Sequence, residues 1–121
     1  MFQEVLQEVV DNTDGGVAGL LMGYDGIPVD QYIRSEGSQT TDVESVGMEY
    51  SVILKSIMNA AEMLDVGKAN EVAIRAERMI TLIRFLTEDY FVAITMQPNA
   101  NLGKARFLLR TRAAKLAADL S

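Results

Sequence analysis

Apolar residues recur at intervals of three and four in three stretches of this chain, and this spacing predicts amphipathic helices. The stretches cover residues 2–12, residues 43–64 and the segment that follows Asn101. Thr41 and Glu44 have the spacing of a capping box at the start of the second helix. Gly67 is the residue expected to adopt the left-handed conformation beyond the end of that helix, which should stop near Asp65. The pattern therefore predicts three helices.

The remaining apolar runs are short and bounded by turn residues, which is typical of β-strands. They cover residues 17–22, 27–34, 71–77, 79–86 and 90–96. Asp25-Gly26 between the first two runs favours a two-residue type I′ hairpin, because both central residues of that turn need a positive φ. The order α-β-β-α-β-β-β-α predicts a single α+β domain over residues 1–121, with one five-stranded antiparallel sheet covered by helices on both faces.

The helix predicted at residues 43–64 has apolar residues on two sides. At about 100° per residue, its broader side should cover the sheet. The residues on that side are Val43, Val46, Tyr50, Ile53, Leu54, Ile57, Met58, Ala61 and Leu64. Met48, Val52 and Met63 point the opposite way. Exposed apolar residues are ordinary on folded proteins, but a second apolar seam along one helix favours a contact with a partner helix.

The strand predicted at residues 71–77 points to the same kind of contact. Val72, Ile74 and Ala76 share one side of it, which indicates a half-exposed strand that could lie at a sheet edge. An unpaired edge strand readily pairs with strands of other molecules. Pairing with its own copy would remove that liability, so the helix seam and this strand together favour a two-fold homodimer.

The net charge of −6 is unevenly distributed along the chain. Residues 1–54 carry −9, residues 55–100 carry −1 and residues 101–121 carry +4. The overall acidity argues against a general nucleic-acid-binding protein. The basic last segment fits the solvated side of an amphipathic helix, assisted by the helix macrodipole, better than a phosphate- or lipid-binding patch.

Candidate chemistry is sparse. The chain has no histidine and no cysteine, so the preferred ligands of zinc, iron and copper are absent and Ser-His-Asp or Cys-His catalysis is excluded. It has no glycine-rich motif of the kind that cradles a phosphate group. Glu88-Asp89 fits a solvated turn better than a metal site, and Arg78 is the one arginine placed in a predicted turn, from which an arginine finger would act. We predict no catalytic residue, no cofactor and no metal ion.

The compartment follows from what the chain lacks. Without cysteine there is no disulfide framework, which fits a reducing environment. The first ten residues lack the positive head and continuous apolar centre of a signal peptide. No apolar run approaches the roughly 20 residues of a membrane span. We expect a cytoplasmic protein that does not insert directly into a membrane.

Two segments resemble one protein family. Residues 19–29, GLLMGYDGIPV, are similar to the first hairpin of roadblock-type dynein light-chain domains, which carry an Asp-Gly turn between apolar strands. Residues 101–110, NLGKARFLLR, are similar to the opening of that family's last helix, particularly in MglB-like bacterial and archaeal members. The predicted element order agrees along nearly the whole chain. The resemblance implies a fold of the profilin and longin type.

The same resemblance implies a homodimer in which the middle helices pack antiparallel and the edge strands extend the sheet across both subunits. It also implies binding to a small Ras-like GTPase, on which MglB-like dimers act by reshaping the nucleotide site rather than by donating a catalytic arginine. The candidate residues for the dimer or partner interface are Met48, Val52, Lys55, Asn59, Met63, Glu71, Val72, Ala73, Ile74, Arg75, Ala76 and Glu77.

The leading hypothesis is a non-enzymatic homodimeric regulator or adaptor that binds a small Ras-like GTPase and modulates GTP hydrolysis or nucleotide exchange. The alternative is a structural scaffold that links components of a motor, polarity or membrane-associated complex. A third class, a small-molecule sensor, needs a pocket between the sheet and a helix, whereas the densely apolar faces favour a filled core.

Overall fold

The computed structural model describes residues 2–34 and 42–121, and its elements follow the predicted order. The helices are α1 (Phe2–Asp11), α2 (Val43–Leu64) and α3 (Leu102–Leu120). The strands are β1 (Gly16–Gly23), β2 (Pro28–Ile33), β3 (Glu71–Arg75), β4 (Ile80–Phe85) and β5 (Tyr90–Met96). Each predicted helix and strand is therefore confirmed in type and approximate position.

The strands form one sheet in the order β2-β1-β5-β4-β3, and every pair of neighbours is antiparallel. The inner strands β1, β5 and β4 are almost entirely buried, whereas β2 and β3 are half-exposed. The edge position suggested for the third strand is confirmed. It matters for function because an edge strand has backbone hydrogen-bonding groups to offer.

The two faces of the sheet are covered differently. On one face, α1 and α3 pack together over a large apolar cluster that includes Leu6, Leu109 and Ile94. On the other face, α2 is the one helix of the described residues that lies over a second cluster, which includes Leu20, Leu54 and Phe91. The α+β fold with helices on both faces is confirmed, with two helices on one side and a single helix on the other.

The hairpin between β1 and β2 differs from the predicted two-residue type I′ turn. Gly26 has a φ of 87°, but Asp25 does not have a positive φ. The loop holds three residues, because the Gly26 amide donates to the Gly23 carbonyl at 2.9 Å and the Gly23 amide donates to the Ile27 carbonyl at 3.0 Å. A three-residue hairpin loop needs only one left-handed residue, and glycine supplies it. The type I′ prediction was wrong for that reason.

Both caps of α2 use aspartates that the pattern analysis did not select. Asp42 is the N-cap, and its Oδ1 accepts a hydrogen bond from the Glu44 amide at 3.1 Å. The predicted cap, Thr41, lies outside the described residues. At the other end, Asp65 is the left-handed cap with a φ of 55°. Gly67 has a positive φ of 90° beyond the helix end, and the helix stops near Asp65, as predicted. The left-handed residue that caps the helix is nevertheless Asp65, so the cap was assigned to the wrong residue. Aspartate tolerates the left-handed conformation better than most residues.

Gly47 sets how closely α2 approaches the sheet. A Cβ built on it would lie 2.4 Å from Leu20 Cδ2 and 2.9 Å from Met22 Sδ, closer than such atoms approach without displacement. Gly47, Ser51 and Leu54 are all buried. The centre of the sheet-facing side of α2 is therefore built partly from small residues, which bring the helix backbone down onto β1.

This contact rotates α2 relative to the prediction. Ile53 and Leu64 were expected to face the sheet, but 53% of Ile53 and 70% of Leu64 are exposed. That part of the prediction was wrong because a pattern of apolar residues gives no weight to Gly47 or Ser51. With these two residues against the sheet, Ile53 lies at the outer margin of the helix, and Leu64 lies in its last turn.

Gly47→Leu should lower the free energy of unfolding by about 1–3 kcal/mol, because the new side chain must displace Leu20 and Met22. Gly103→Leu is the matched control, since an added Cβ at this exposed helical position meets nothing closer than 3.7 Å. It should raise stability by up to about 1 kcal/mol through helix propensity alone. Urea unfolding followed by circular dichroism measures both, and equal stability of the two variants would contradict the close approach.

Candidate interaction surface

The outward side of α2 carries exposed apolar residues in its N-terminal half and near its C-terminal end. Met48, Val52 and Met63 are exposed, with 68% of Val52 and 85% of Met63 accessible to solvent. Ile53 and Leu64, which turn away from the sheet, enlarge this area. We call these five residues the α2 surface. Five large apolar residues exposed on one helix favour a site of interaction, because exposed apolar residues usually occur singly.

The polar candidates on the helix lie beside these residues. Lys55 and Asn59 are both exposed, so all five helix residues selected from the sequence lie away from the core. Lys55 borders an open groove that it shares with Asp25 and Val29 of the hairpin region. Their roles at an interface stay predictions, since exposure alone does not identify the partner.

The open edge of β3 is the second part of the candidate site. β3 pairs with β4 on one side, and no strand within residues 2–34 and 42–121 pairs with its other side. Its side chains alternate across the sheet. Val72 and Ile74 are half-buried and pack against the same cluster as Ile57 of α2. The open edge therefore lies on the flank of the sheet that α2 also borders.

Two hydrogen bonds at the ends of β3 show which backbone groups point outward. They run from the Phe85 amide to the Asn70 carbonyl at 3.0 Å and from the Ala76 amide to the Met79 carbonyl at 2.9 Å. Bonded residues alternate along an antiparallel pair, so Val72 and Ile74 also bond towards β4. The N–H and C=O groups of Glu71, Ala73 and Arg75 consequently point away from the sheet.

The C-terminal part of the predicted edge strand is not a strand. β3 ends at Arg75, and Ala76 and Glu77 are exposed residues in the connection to β4. The strand prediction was wrong there because the Ala76 amide closes a tight turn onto the Met79 carbonyl. Alternation of apolar residues continues through Ala76, and nothing in the pattern marks where the turn begins.

Glu71 anchors β3 to the helix on the opposite face of the sheet. Its Oε2 atom accepts a hydrogen bond from Arg106 Nε at 2.6 Å, and both side chains are partly buried. Because this pair is partly screened from water, it is more effective than a fully exposed ion pair. It holds the start of the edge strand in place without using the outward-pointing backbone groups.

The hairpin adds exposed apolar residues that sequence reasoning missed. They are Ile27, Val29 and Ile33. A Cβ placed on Gly26 would lie 3.9 Å from Met48 Cγ, so the hairpin adjoins the α2 surface. The signal available in the sequence was the alternation within β2. That alternation could not show that β2 is an edge strand only partly covered by α2, because this depends on the order of the strands in the sheet.

Tyr24 fixes the hairpin to the neighbouring turn. Its ring lies 6.2 Å from that of Phe85 and 5.4 Å from that of Phe91, and its hydroxyl donates to the Thr87 carbonyl at 3.4 Å. Burial, with a smaller effect from the Asp89 carboxylate, raises the pKa of Tyr24 far above its usual value. The hydroxyl therefore stays protonated at neutral pH, and Tyr24 acts as a structural anchor.

The described part of the chain holds neither a cluster of metal ligands nor a helix that could span a membrane. Its acidic residues form no group of three or more that could hold a metal ion. None of its helices has the length and apolar character needed to cross a bilayer.

An open groove of about 410 Å³ lies at the C-terminal end of α2, lined in part by Met58, Phe85 and Lys68.

Several solved structures are similar to this chain, although no family model and no curated protein sequence matches it. MglC from Myxococcus xanthus is 34% identical over 96% of both chains, with a TM-score of 0.68. MglB from Thermus thermophilus is 18% identical over 95% of this chain and 84% of its own, with a TM-score of 0.83. A Roadblock/LC7 domain from Streptomyces avermitilis is 12% identical over 94% and 96% of the two chains, with a TM-score of 0.73.

The fold extends to more distant proteins. Profilin II from Acanthamoeba castellanii is 14% identical over the full length of both chains and has a TM-score of 0.59. This likeness is one of fold alone, and it confirms the profilin-type architecture that was predicted.

Proline substitutions test which side of β3 is open. Ala73→Pro should lower the free energy of unfolding by less than about 1.5 kcal/mol, because the lost amide points outward and proline is tolerated at such edge positions. Ile74→Pro should cost about 3 kcal/mol or more, because it removes a bond to β4 and a half-buried side chain. Urea unfolding at a protein concentration low enough to keep the chain monomeric compares the two, so that pairing between copies does not contribute. A larger loss for Ala73→Pro would show that the assignment of outward groups is reversed.

Proposed function

Because the chain belongs to the roadblock-domain family, with 34% identity to MglC over 96% of both chains, we propose a regulatory function for it. We propose that it is a cytoplasmic, non-enzymatic, homodimeric regulator or adaptor of a small Ras-like GTPase. The observation that carries this proposal is the apolar α2 surface beside the open edge of β3. The described residues of one copy leave both features uncovered. A second copy related by a two-fold axis covers both at once.

The sequence of β3 is suited to pairing with itself. In an antiparallel pair centred on Ala73, Glu71 of one copy lies opposite Arg75 of the other, and Val72 lies opposite Ile74. Opposite charges and apolar residues that face each other across strands each stabilise the pair. The outward backbone groups belong to residues 71, 73 and 75, the same residues that face each other in this register. We therefore propose this register for the dimer.

The α2 surface supplies the apolar part of the proposed interface. Each fully buried side chain of this size contributes about 1.5–3 kcal/mol, and a two-fold interface buries each residue twice. Side-chain ordering and the loss of rotational and translational freedom offset part of this. A helix pair with the shared edge strands forms one continuous interface, so neither contact has to stabilise the dimer alone.

The GTPase-directed part of the proposal rests on the family relationship and on the chemistry of the chain. With no histidine or cysteine and no motif that cradles phosphate, its means of action on a nucleotide is through the partner protein. Arg78 is exposed in the β3–β4 connection, but nothing in the described residues orients it toward a site. We propose that the dimer acts by altering the conformation of the GTPase, without an arginine finger.

A scaffold that links components of a motor, polarity or membrane-associated complex is the second candidate. The observation that favours it is a group of basic residues on α3 that form no ion pair within the described part of the chain. This helix lies across the sheet from α2. A protein with separate surfaces on opposite faces can hold two partners at once.

Val52→Glu and Met48→Glu should each convert the dimer to a monomer. Each substitution would place one carboxylate from each subunit in the proposed interface, and burying an unpaired charge is unfavourable. Light scattering should show the mass halved while circular dichroism stays unchanged. Ala114→Glu adds the same charge at an exposed position on α3 and should remain dimeric. A wild-type protein that stays monomeric at high micromolar concentration would refute the dimer.

The wild-type protein should change the rate of GTP hydrolysis or nucleotide exchange of a small Ras-like GTPase from the same organism by at least about tenfold, the effect of about 1.4 kcal/mol of activation free energy. Val52→Glu should abolish the effect, whereas Arg78→Ala should leave it within about twofold of wild type. Single-turnover hydrolysis and fluorescent-nucleotide release measure both rates. Loss of activity in Arg78→Ala would identify an arginine finger and overturn the proposed mode of action.

A further inference from the structure

The outer side of α3 combines basic residues with an exposed aromatic ring. Lys104, Phe107 and Arg110 follow one another at intervals of three and are all exposed. Phe107 is 52% accessible to solvent, and Arg110 Cζ lies 5.8 Å from the centroid of its ring. We call these three residues the α3 patch. It lies on the face of the sheet opposite α2.

The basic residues of α3 form two groups. Three of them make ion pairs: Arg106 with Glu71 at 2.6 Å, Arg112 with Glu8 at 2.8 Å and Lys115 with Asp119 at 3.6 Å. Lys104 and Arg110 make none with residues 2–34 and 42–121. The ion pairs of the first group connect α3 to β3, to α1 or to its own last turn. Lys104 and Arg110 connect α3 to no acidic residue of the described fold.

Solvation alone accounts poorly for the α3 patch. A solvated helix side needs charge but gains nothing from an exposed phenylalanine, whose burial would be favourable. The other large apolar residues that the described chain exposes belong to α2, the segment just after it, and the β1–β2 hairpin with β2. Phe107 is therefore separate from the α2 surface, and the Arg110 guanidinium lies over one face of its ring.

We propose that the α3 patch binds a short acidic segment of another protein, in which carboxylates contact Lys104 and Arg110 and an apolar anchor residue packs on Phe107. Charge complementarity identifies the class of partner, because two unpaired cations attract carboxylates. Phenylalanine and arginine are also enriched at protein–protein interfaces.

The surroundings of the α3 patch favour a short segment over an extended polyanion. Neighbouring α1 carries Glu4, Glu8 and Asp11 outside the core, and residues 1–54 as a whole carry −9. A nucleic acid or an anionic membrane would span both helices and meet these carboxylates, whereas a peptide confined to the outer side of α3 avoids them. The proposal is independent of the GTPase-directed function, since the two surfaces lie on opposite faces.

The test uses a fluorescein-labelled amphipathic peptide of Glu, Ala and Leu, with leucine on one side, and measures its anisotropy against the full-length protein. Lys104→Glu with Arg110→Glu should weaken binding at least about tenfold, the equivalent of about 1.4 kcal/mol. Phe107→Ser should weaken it several-fold. The matched control is Lys68→Glu with Arg78→Glu, which changes the net charge equally at exposed positions elsewhere and should change affinity less than about twofold. Circular dichroism checks that each variant is folded.

Further probes separate the sources of negative charge. A version of the peptide with serine in place of leucine should bind more weakly, and one with lysine in place of glutamate should not bind. Failure of the acidic peptide to bind, or equal losses in the α3 and control variants, would overturn the proposal. Binding of phosphatidylserine vesicles or of oligo-dT in place of the peptide would overturn it in favour of a membrane or a nucleic acid. A change in oligomeric state caused by Lys104→Glu with Arg110→Glu would overturn it by assigning the patch to a second copy.

Discussion

The contact of α2 with the sheet at Gly47 is the constraint on which the rest of the structure depends. Five strands spaced by about 4.8 Å make a sheet roughly 20 Å wide, whereas one helix with its side chains is about 10 Å across. Two helices cover one face adequately, and α2 alone covers only the middle of the other. Its backbone reaches β1 because Gly47 has no side chain, and the strands at both edges remain open on that face among the described residues.

On this face of the sheet α2 has no neighbouring helix among the described residues, and it carries apolar residues on both its inward and its outward side. Those turned inward fill the core above β1, β5 and β4. Those turned outward have no covering neighbour within the described part of the chain, although they lie beside the unpaired edge of β3. The outward apolar residues of α2 and the open edge of β3 are thus both uncovered among the described residues of one copy. A second α2 helix together with a second β3 strand would cover both. The proposed self-association would supply that cover.

On the opposite face of the sheet, α1 and α3 cover the core, and the basic residues of α3 are divided into those that form ion pairs with described residues and those that do not. There the core is complete, and polar interactions decide what remains available. Arg106 and Arg112 connect α3 to β3 and α1 by ion pairs, which fixes the helix and leaves the α3 patch without acidic partners among the described residues. The molecule therefore presents an apolar surface on one face and a basic surface with an aromatic centre on the other. Two distinct surfaces on one small fold suit an adaptor.

The sequence by itself determined the order and type of the elements, the extent of α2, the outward direction of Met48, Val52 and Met63, and the family resemblance in the first hairpin and the last helix. These follow from periodicity and local turn chemistry, which involve residues close in the chain. The tertiary structure alone decided the rotation of α2, through steric contact at Gly47, and with it the exposure of Ile53. It also decided that Arg106 pairs with Glu71 and Arg112 with Glu8. Both depend on distances between atoms that the chain separates by tens of residues, and no local pattern records those distances.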